Sequence, residues 1–175
     1  MKKIQVGDIT MAYRWDGATS GPVVMMAHAM GTSHRIWDWQ ISVLSDRYRI
    51  LRYDFRGHGD TEAPPGPYTL DQFVKDAVGI MDILELDKVH WVGISTGGMI
   101  GQGVAIDHGS RLHSLILCNT TSRSTQWYRD QIAKRQAVVG EGGMDAGWEM
   151  TKRFWFTDDY VDEEGPDYHT VRNVY

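Results

Sequence analysis

The sequence predicts an α/β protein, a mostly parallel β-sheet covered by helices on both faces. Three observations carry this. Strand-like and helix-like segments alternate along residues 3–119, and such alternation needs crossover connections, which make neighbouring strands parallel. "PVVMMAHAM" (22–30) is a continuous apolar run after Gly21, the pattern of a strand buried on both faces. Finally, Thr69-Leu70-Asp71-Gln72 has capping-box spacing, and Leu70, Phe73, Val74, Ala77, Met81 and Leu84 then recur at three- and four-residue intervals, lining one face of a helix.

The elements follow in order. Lys3 to Val6 and Ile9 to Trp15 read as two short strands joined by a Gly-Asp turn. The apolar run 22–30 is the third strand, "IWDWQISVL" (36–44) a helix, and "YRILRYDF" (48–55) the next strand. "RGHGDTEAPPGPY" (56–68) is loop by its glycines and prolines. After the capped helix, "KVHWVG" (88–93) is a strand, Met99 to Ile106 a helix, and "LHSLILCN" (112–119) a further strand. No internal repeat or low-complexity segment interrupts them.

The 175 residues suffice for one domain with a sizeable core, and 42% hydrophobic with 23% charged residues is ordinary for a globular protein. A net charge of −5 gives no basic footprint for nucleic acid. The start, "MKKIQVGD", turns polar too early for a signal peptide, and no apolar run approaches the ~20 residues of a membrane helix. A cytoplasmic protein is expected. The single cysteine, Cys118, excludes an internal disulfide and reads as a small core residue.

The chemistry concentrates in "VHWVGISTGGMIGQG" (89–103). A Gly-x-Ser-x-Gly pentapeptide arises by chance in roughly one chain in twenty of this length, so its context decides. Here a buried strand precedes it and a helix follows. Gly93 and Gly97 lack the Cβ that would clash where the chain reverses, so Ser95 can sit on a strained turn with its hydroxyl projecting, and the helix N-terminus favours negative charge there. Ser95 is the candidate nucleophile. Acyl transfer also needs two backbone amides aimed at the developing oxyanion, and a loop beside the nucleophile is the usual source of one. "AHAMGTSHRIW" (27–37) leaves the third strand beside this turn, and the amides of Met30 and Thr96 are assigned that role.

These segments resemble the α/β-hydrolase fold and, within it, the 3-oxoadipate enol-lactonase-like serine hydrolases. "MGTSHRIWDWQISVL" is similar to the family's segment after the oxyanion loop, and "YDFRGHGDTEAP" to its Asp-x-Arg-Gly-His-Gly turn. "YTLDQFVKDAVGIMDILELDKVHWVGISTGGMIGQ" carries helix, strand, nucleophile elbow and helix in the family's order. "RLHSLILCNT", Glu141 to Met144 and Phe154 to Thr157 extend the match. The resemblance implies a serine hydrolase acting on a carboxylic ester or lactone, without cofactor or metal. It implies an α/β-hydrolase core over 1–121, with the first six strands and the elbow, and the start of a helical cap or lid over 122–175. It also implies that Asp54 and His58 shape a structural turn rather than complete a triad. His34, near the start of a helix, is expected to face solvent or line the substrate rather than act as a base.

The sequence departs from the family in one respect. In these hydrolases the acid follows a later strand and the histidine a later loop, in the order Ser, Asp, His. This chain ends at "YHTVRNVY", inside the expected cap, so both partners and about two C-terminal strands are expected to be missing. The alternative acid position, just after the sixth strand, falls at Asn119, which cannot carry the charge that stabilises an imidazolium. Three readings follow: part of a serine hydrolase, a catalytically inactive binding protein that assembles with itself or a second chain, or a cofactor-free haloperoxidase or perhydrolase. Self-association, or a second chain supplying the missing strands, is expected. In the cap, Trp127 and Trp155 are candidate substrate-lining residues, and Lys152 and Arg153 candidate partners for a substrate carboxylate.

Overall fold

The computed structural model describes residues 1–165 and 167–175. It divides into two compact units, Met1–Ser122 and Arg123–Tyr175. In the first unit, six strands form one sheet: β1 (Lys2–Val6), β2 (Ile9–Gly17), β3 (Val23–Ala27), β4 (Arg49–Tyr53), β5 (Val89–Ile94) and β6 (Leu112–Cys118), in the order β1-β2-β4-β3-β5-β6.

β4, β3, β5 and β6 are joined by parallel pairings, as crossover connections require. It does not extend to the N-terminus. The Gly7-Asp8 turn is too short for a crossover, so β1 and β2 are antiparallel, and β2 joins β4 antiparallel as well.

Each face of the sheet has its own core. All five residues of β3 are buried. On one face Met25, Leu51, Tyr53 and Trp91 pack with Phe73, Val74, Ala77 and Met81 of α2 (Leu70–Ile83) and Ile100 and Val104 of α3 (Thr96–Asp107). On the other, Val24, Met26, Ile50 and Trp37 pack with Ile41 and Leu44 of α1 (Asp38–Leu44). Burying one such aliphatic side chain contributes about 1.5–3 kcal/mol. The Thr69 capping box forms as its spacing predicts: Thr69 Oγ1 accepts from the Gln72 N–H, and Gln72 Oε1 accepts from the Thr69 N–H.

Local departures have local causes. The expected helix 36–44 is a 3-10 turn, His34–Trp37, running into α1. The third strand stops at Ala27, three residues short of its apolar run, because the His28 carbonyl turns out of the sheet to accept from the Gly97 N–H at 3.0 Å. Cys118 is half-buried rather than a core residue, since β6 stands at the sheet edge, where Ile116 (51%) and Leu117 (44%) are exposed.

The second unit is helical. α4 (Gln126–Trp155) is broken at Gly143, whose φ of 71° and ψ of −171° no helix accommodates. α5 (Asp158–Asp162) and α6 (Tyr168–Arg172) fold back around Trp148, which is 2% exposed and packs with Val161, Tyr168 and, more peripherally, Trp155, Phe156 and Tyr175. Among the described residues no helix is long and apolar enough to cross a membrane.

Candidate active site

Ser95 stands at the junction of β5 and α3, with φ 52° and ψ −116°. A residue with a Cβ rarely adopts a positive φ, and it persists only where its surroundings over-determine it. Here they do. The Ser95 N–H donates to Cys118 O on β6 at 3.0 Å. Its carbonyl accepts from the Gly98 and Met99 N–H groups and from Thr120 Oγ1 at 2.6 Å. The hydroxyl of Thr120, which no local sequence pattern singles out, thus clamps the turn. Trp91 Nε1 donates to Gly97 O.

The glycines are close-approach positions. A Cβ at Gly93 would overlap the Gly97 carbonyl, and one at Gly97 would overlap the Ala27 carbonyl and lie 2.7 Å from His28 O. Gly97→Val should therefore destabilise the unit by about 3 kcal/mol or more, because the obstructing atoms are backbone and cannot swing away. A chemical-denaturation midpoint equal to that of the unsubstituted chain would show that the turn is looser than described.

The Gly97 to His28 hydrogen bond sets the β3 exit loop against this turn. Thr96 precedes Gly97 and heads α3, so its N–H has no intrahelical carbonyl to reach. Met30 is two residues beyond His28, in a loop fixed by the Thr32 N–H and Thr32 Oγ1, both donating to Ala29 O. The structure thus brings Ser95, Thr96 and the loop of Met30 to one end of β3 and β5.

A buried polar layer lies beneath that loop. Asp54, fully buried, accepts from the His34 backbone N–H (2.7 Å), the His34 ring Nδ1 (3.0 Å) and the Asp60 N–H (3.1 Å). Burial alone would raise its carboxyl, but these bonds outweigh it and hold the group below its ordinary value. His34 therefore does not face solvent; it is 8% exposed, with its ring turned to Asp54. His28 is buried and stacked on Phe55 with centroids 3.7 Å apart. Its Nδ1 donates to Ala29 O and its Nε2 accepts from the Phe55 N–H. Burial, with the neighbouring His58 second, lowers its pKa to about 3, so it is a neutral packing residue and not a base. Arg56 forms a two-pronged ion pair with buried Asp76, which pins the Asp-x-Arg-Gly-His-Gly turn to α2.

Among the described residues, no histidine ring is hydrogen-bonded to Ser95. His28, His34, His58 and His90 bond elsewhere, and Asn119 is exposed at φ 45° after β6.

In the helical unit, Trp127 and Trp155 line one apolar cavity of about 170 Å³ with Tyr128, Ile132, Met150 and Phe154. The cation on its wall is Arg135, which the sequence reading did not single out. Lys152 and Arg153, proposed for a substrate carboxylate, are engaged instead: Lys152 with Glu149 at 2.6 Å, and Arg153 with Asp158 and Asp162 at 2.6 and 2.8 Å. Helical spacing and the short α4–α5 connection place those acids within reach.

Residues 22–152 match a family model described as the alpha/beta hydrolase fold. The chain belongs to the α/β-hydrolase family. Among its relatives, this α/β-hydrolase chain is 31% identical over 160 residues to 3-oxoadipate enol-lactonase 2 of Acinetobacter baylyi, covering 91% of this chain and 59% of that protein. It is 32% identical over 141 residues to a putative carbamate hydrolase RutD of Caulobacter segnis, covering 79% and 53%. A crystal structure of the enol-lactonase from Burkholderia xenovorans superposes with a TM-score of 0.89 at 34% identity, over 99% of this chain and 66% of that one. The α/β-hydrolase chain thus spans a little over half the length of the curated relatives it matches.

Proposed function

We propose that the chain carries the nucleophile of a serine hydrolase that cleaves a carboxylic ester or lactone. One observation carries the reading: a serine held at positive φ between a buried strand and a helix N-terminus, beside a loop whose amide can share the oxyanion. In the proposed reaction Ser95 Oγ attacks the substrate carbonyl carbon, its proton passing to a base. The Met30 and Thr96 amides meet the resulting oxyanion. Collapse expels the alkoxide, which takes up the proton, and leaves an acyl-Ser95 ester. Water then cleaves that ester by the same steps, releasing the acid and restoring the hydroxyl. The names of the lactonase relatives favour a lactone, in which acid and alcohol leave as one molecule. The carbamate hydrolase relatives support a second substrate class for the same serine, a carbonyl flanked by nitrogen.

The acid and base would come from further chain, in the same or a second polypeptide, docking beside β6. The support is the edge itself: β6 pairs only with β5 among the described residues, and a strand with exposed Ile116 and Leu117 presents unpaired amides and carbonyls. Purified 1–175 should therefore sediment as an associated species and show little turnover of a p-nitrophenyl ester. A stable monomer that turns the ester over would overturn this part. In a preparation of this chain that hydrolyses an ester, reaction with a fluorophosphonate, followed by peptide mass analysis, tests the nucleophile: the adduct is expected on Ser95, and an adduct on another residue would refute the assignment.

A further inference from the structure

We infer that His58 is a positioning residue for the loop that presents the Met30 amide, holding it through a hydrogen bond from the Gly31 N–H. The inference rests on the acyl-transfer reading for its purpose, but its geometry stands apart. Gly31 N lies 3.1 Å from His58 Nε2, a contact between the β3 exit and the turn after β4. His58 Nδ1 lies 3.1 Å from Arg56 O. A carbonyl only accepts, so the proton resides on Nδ1 and the Nε2 lone pair is left to receive the Gly31 N–H. The two partners fix the tautomer between them.

The ring is a rigid strut. It packs edge-on against Phe55, with centroids 4.5 Å apart, and against His28 at 5.3 Å. Its backbone is set by the His58 N–H donating to Phe55 O and the Thr61 N–H donating to His58 O. Among the grips on the loop are His28 O held by the Gly97 N–H, Gly31 N–H held by His58 Nε2, and His34 N–H held by Asp54. The middle grip is next to Met30, and Gly31, at φ 74°, is the loop residue with the most backbone freedom to lose. Without an acceptor at position 58 that freedom returns to the Met30–Gly31 peptide, which adjoins the Ala29–Met30 peptide that carries the oxyanion donor.

The grip also depends on charge. An imidazolium has N–H on both nitrogens and cannot accept, so protonation of His58 turns Nε2 from acceptor to donor and faces it against the Gly31 N–H. Ionisable residues against it include His28 from the β3 exit, whose ring lies 5.3 Å away, and Arg56 from its own loop, through its carbonyl; His34, Asp54, Asp60 and Tyr68 belong to the same segments, with His34 and Asp60 bonded to Asp54. The Gly31 N–H donates to His58 Nε2.

The test is nuclear magnetic resonance on the 15N-labelled 175-residue chain. At neutral pH the His58 ring should show the Nδ1–H tautomer. As His58 titrates, the Gly31 and Met30 amide shifts should follow with the same midpoint, while the β3 amides of Val24 and Met25 stay still. His58→Gln, whose Oε1 takes the place of Nε2, should keep the neutral-pH Gly31 shift and abolish its titration. His58→Phe should lose the shift and speed Gly31 exchange with solvent about tenfold. Gly31 and Met30 amides that ignore the His58 titration would overturn the inference, as would Gln and Phe variants with identical Gly31 behaviour. If the Phe variant does not fold, the titration of the unsubstituted chain decides alone. In a preparation of this chain that hydrolyses an ester, a Ser95 that resists the fluorophosphonate, with Gly31 still tracking His58, would sink the hydrolase reading and leave the anchor in place.

Discussion

Ser95→Ala should lower kcat by about three orders of magnitude or more in any preparation of this chain that hydrolyses an ester, with its unfolding midpoint unchanged. The side chain is not what holds the turn: the bonds that fix Ser95 run through its N–H and carbonyl, to Cys118, Gly98, Met99 and Thr120. Alanine makes all of them, so the substitution removes the hydroxyl and little else. The check is ester turnover beside a denaturation curve. Retention of most activity with an intact fold would remove Ser95 from the mechanism. A collapse of stability would mean that the hydroxyl is part of the turn's architecture.

The second large effect is acid lability. His28 is buried as a neutral imidazole with its pKa at about 3, against 6.5 in an exposed chain. Between those values the unfolded chain binds a proton that the folded chain refuses, so stability falls as pH drops, by about 1.4 kcal/mol per pH unit. Asp54 acts in the same direction further down. Its folded-state pKa is depressed, so its contribution is present above the unfolded value and is lost as pH falls through the folded one. Urea midpoints measured at about pH 7 and about pH 5 should differ by the equivalent of roughly 2 kcal/mol. In a folded His28→Gln variant most of that difference should vanish. Equal midpoints for the unsubstituted chain would mean that His28 reaches solvent when it is charged.

What the sequence made legible were features with a local cause. The Thr69 capping box, the apolar face from Phe73 to Met81 and the five buried residues of β3 could be read from spacing alone, as could the glycines around Ser95, where only the absence of a Cβ lets two backbones meet. What escaped were contacts between segments far apart in the chain. His34 reads as solvent-facing as readily as substrate-lining because its neighbours give no hint of Asp54, which reaches it from just past the next strand. Thr120 is an unremarkable hydroxyl until β6 lies beside β5. Lys152 and Arg153 were plausible anion binders by charge, and only the packing of α5 against the end of α4 shows Arg153 already occupied.

The adjacency of β3 and β5 has a consequence for how the protein comes into being. The two strands pair in register from Val24–His90 to Ala27–Gly93, while β4 and α2 occupy the chain between them. The strained geometry at Ser95 is incompletely held until that pairing closes, because the carbonyl that receives the Gly97 N–H belongs to His28. Closing a long loop costs entropy before it returns any contact, and parallel pairings of this kind form slowly. During synthesis, then, Ser95 is made before its turn can be fixed: a nascent chain stalled before residue 118 lacks the Cys118 carbonyl and the Thr120 hydroxyl that hold it. The turn at Ser95 is complete only when β3, β5 and β6 lie side by side, so a probe of that turn would report on completion of the sheet.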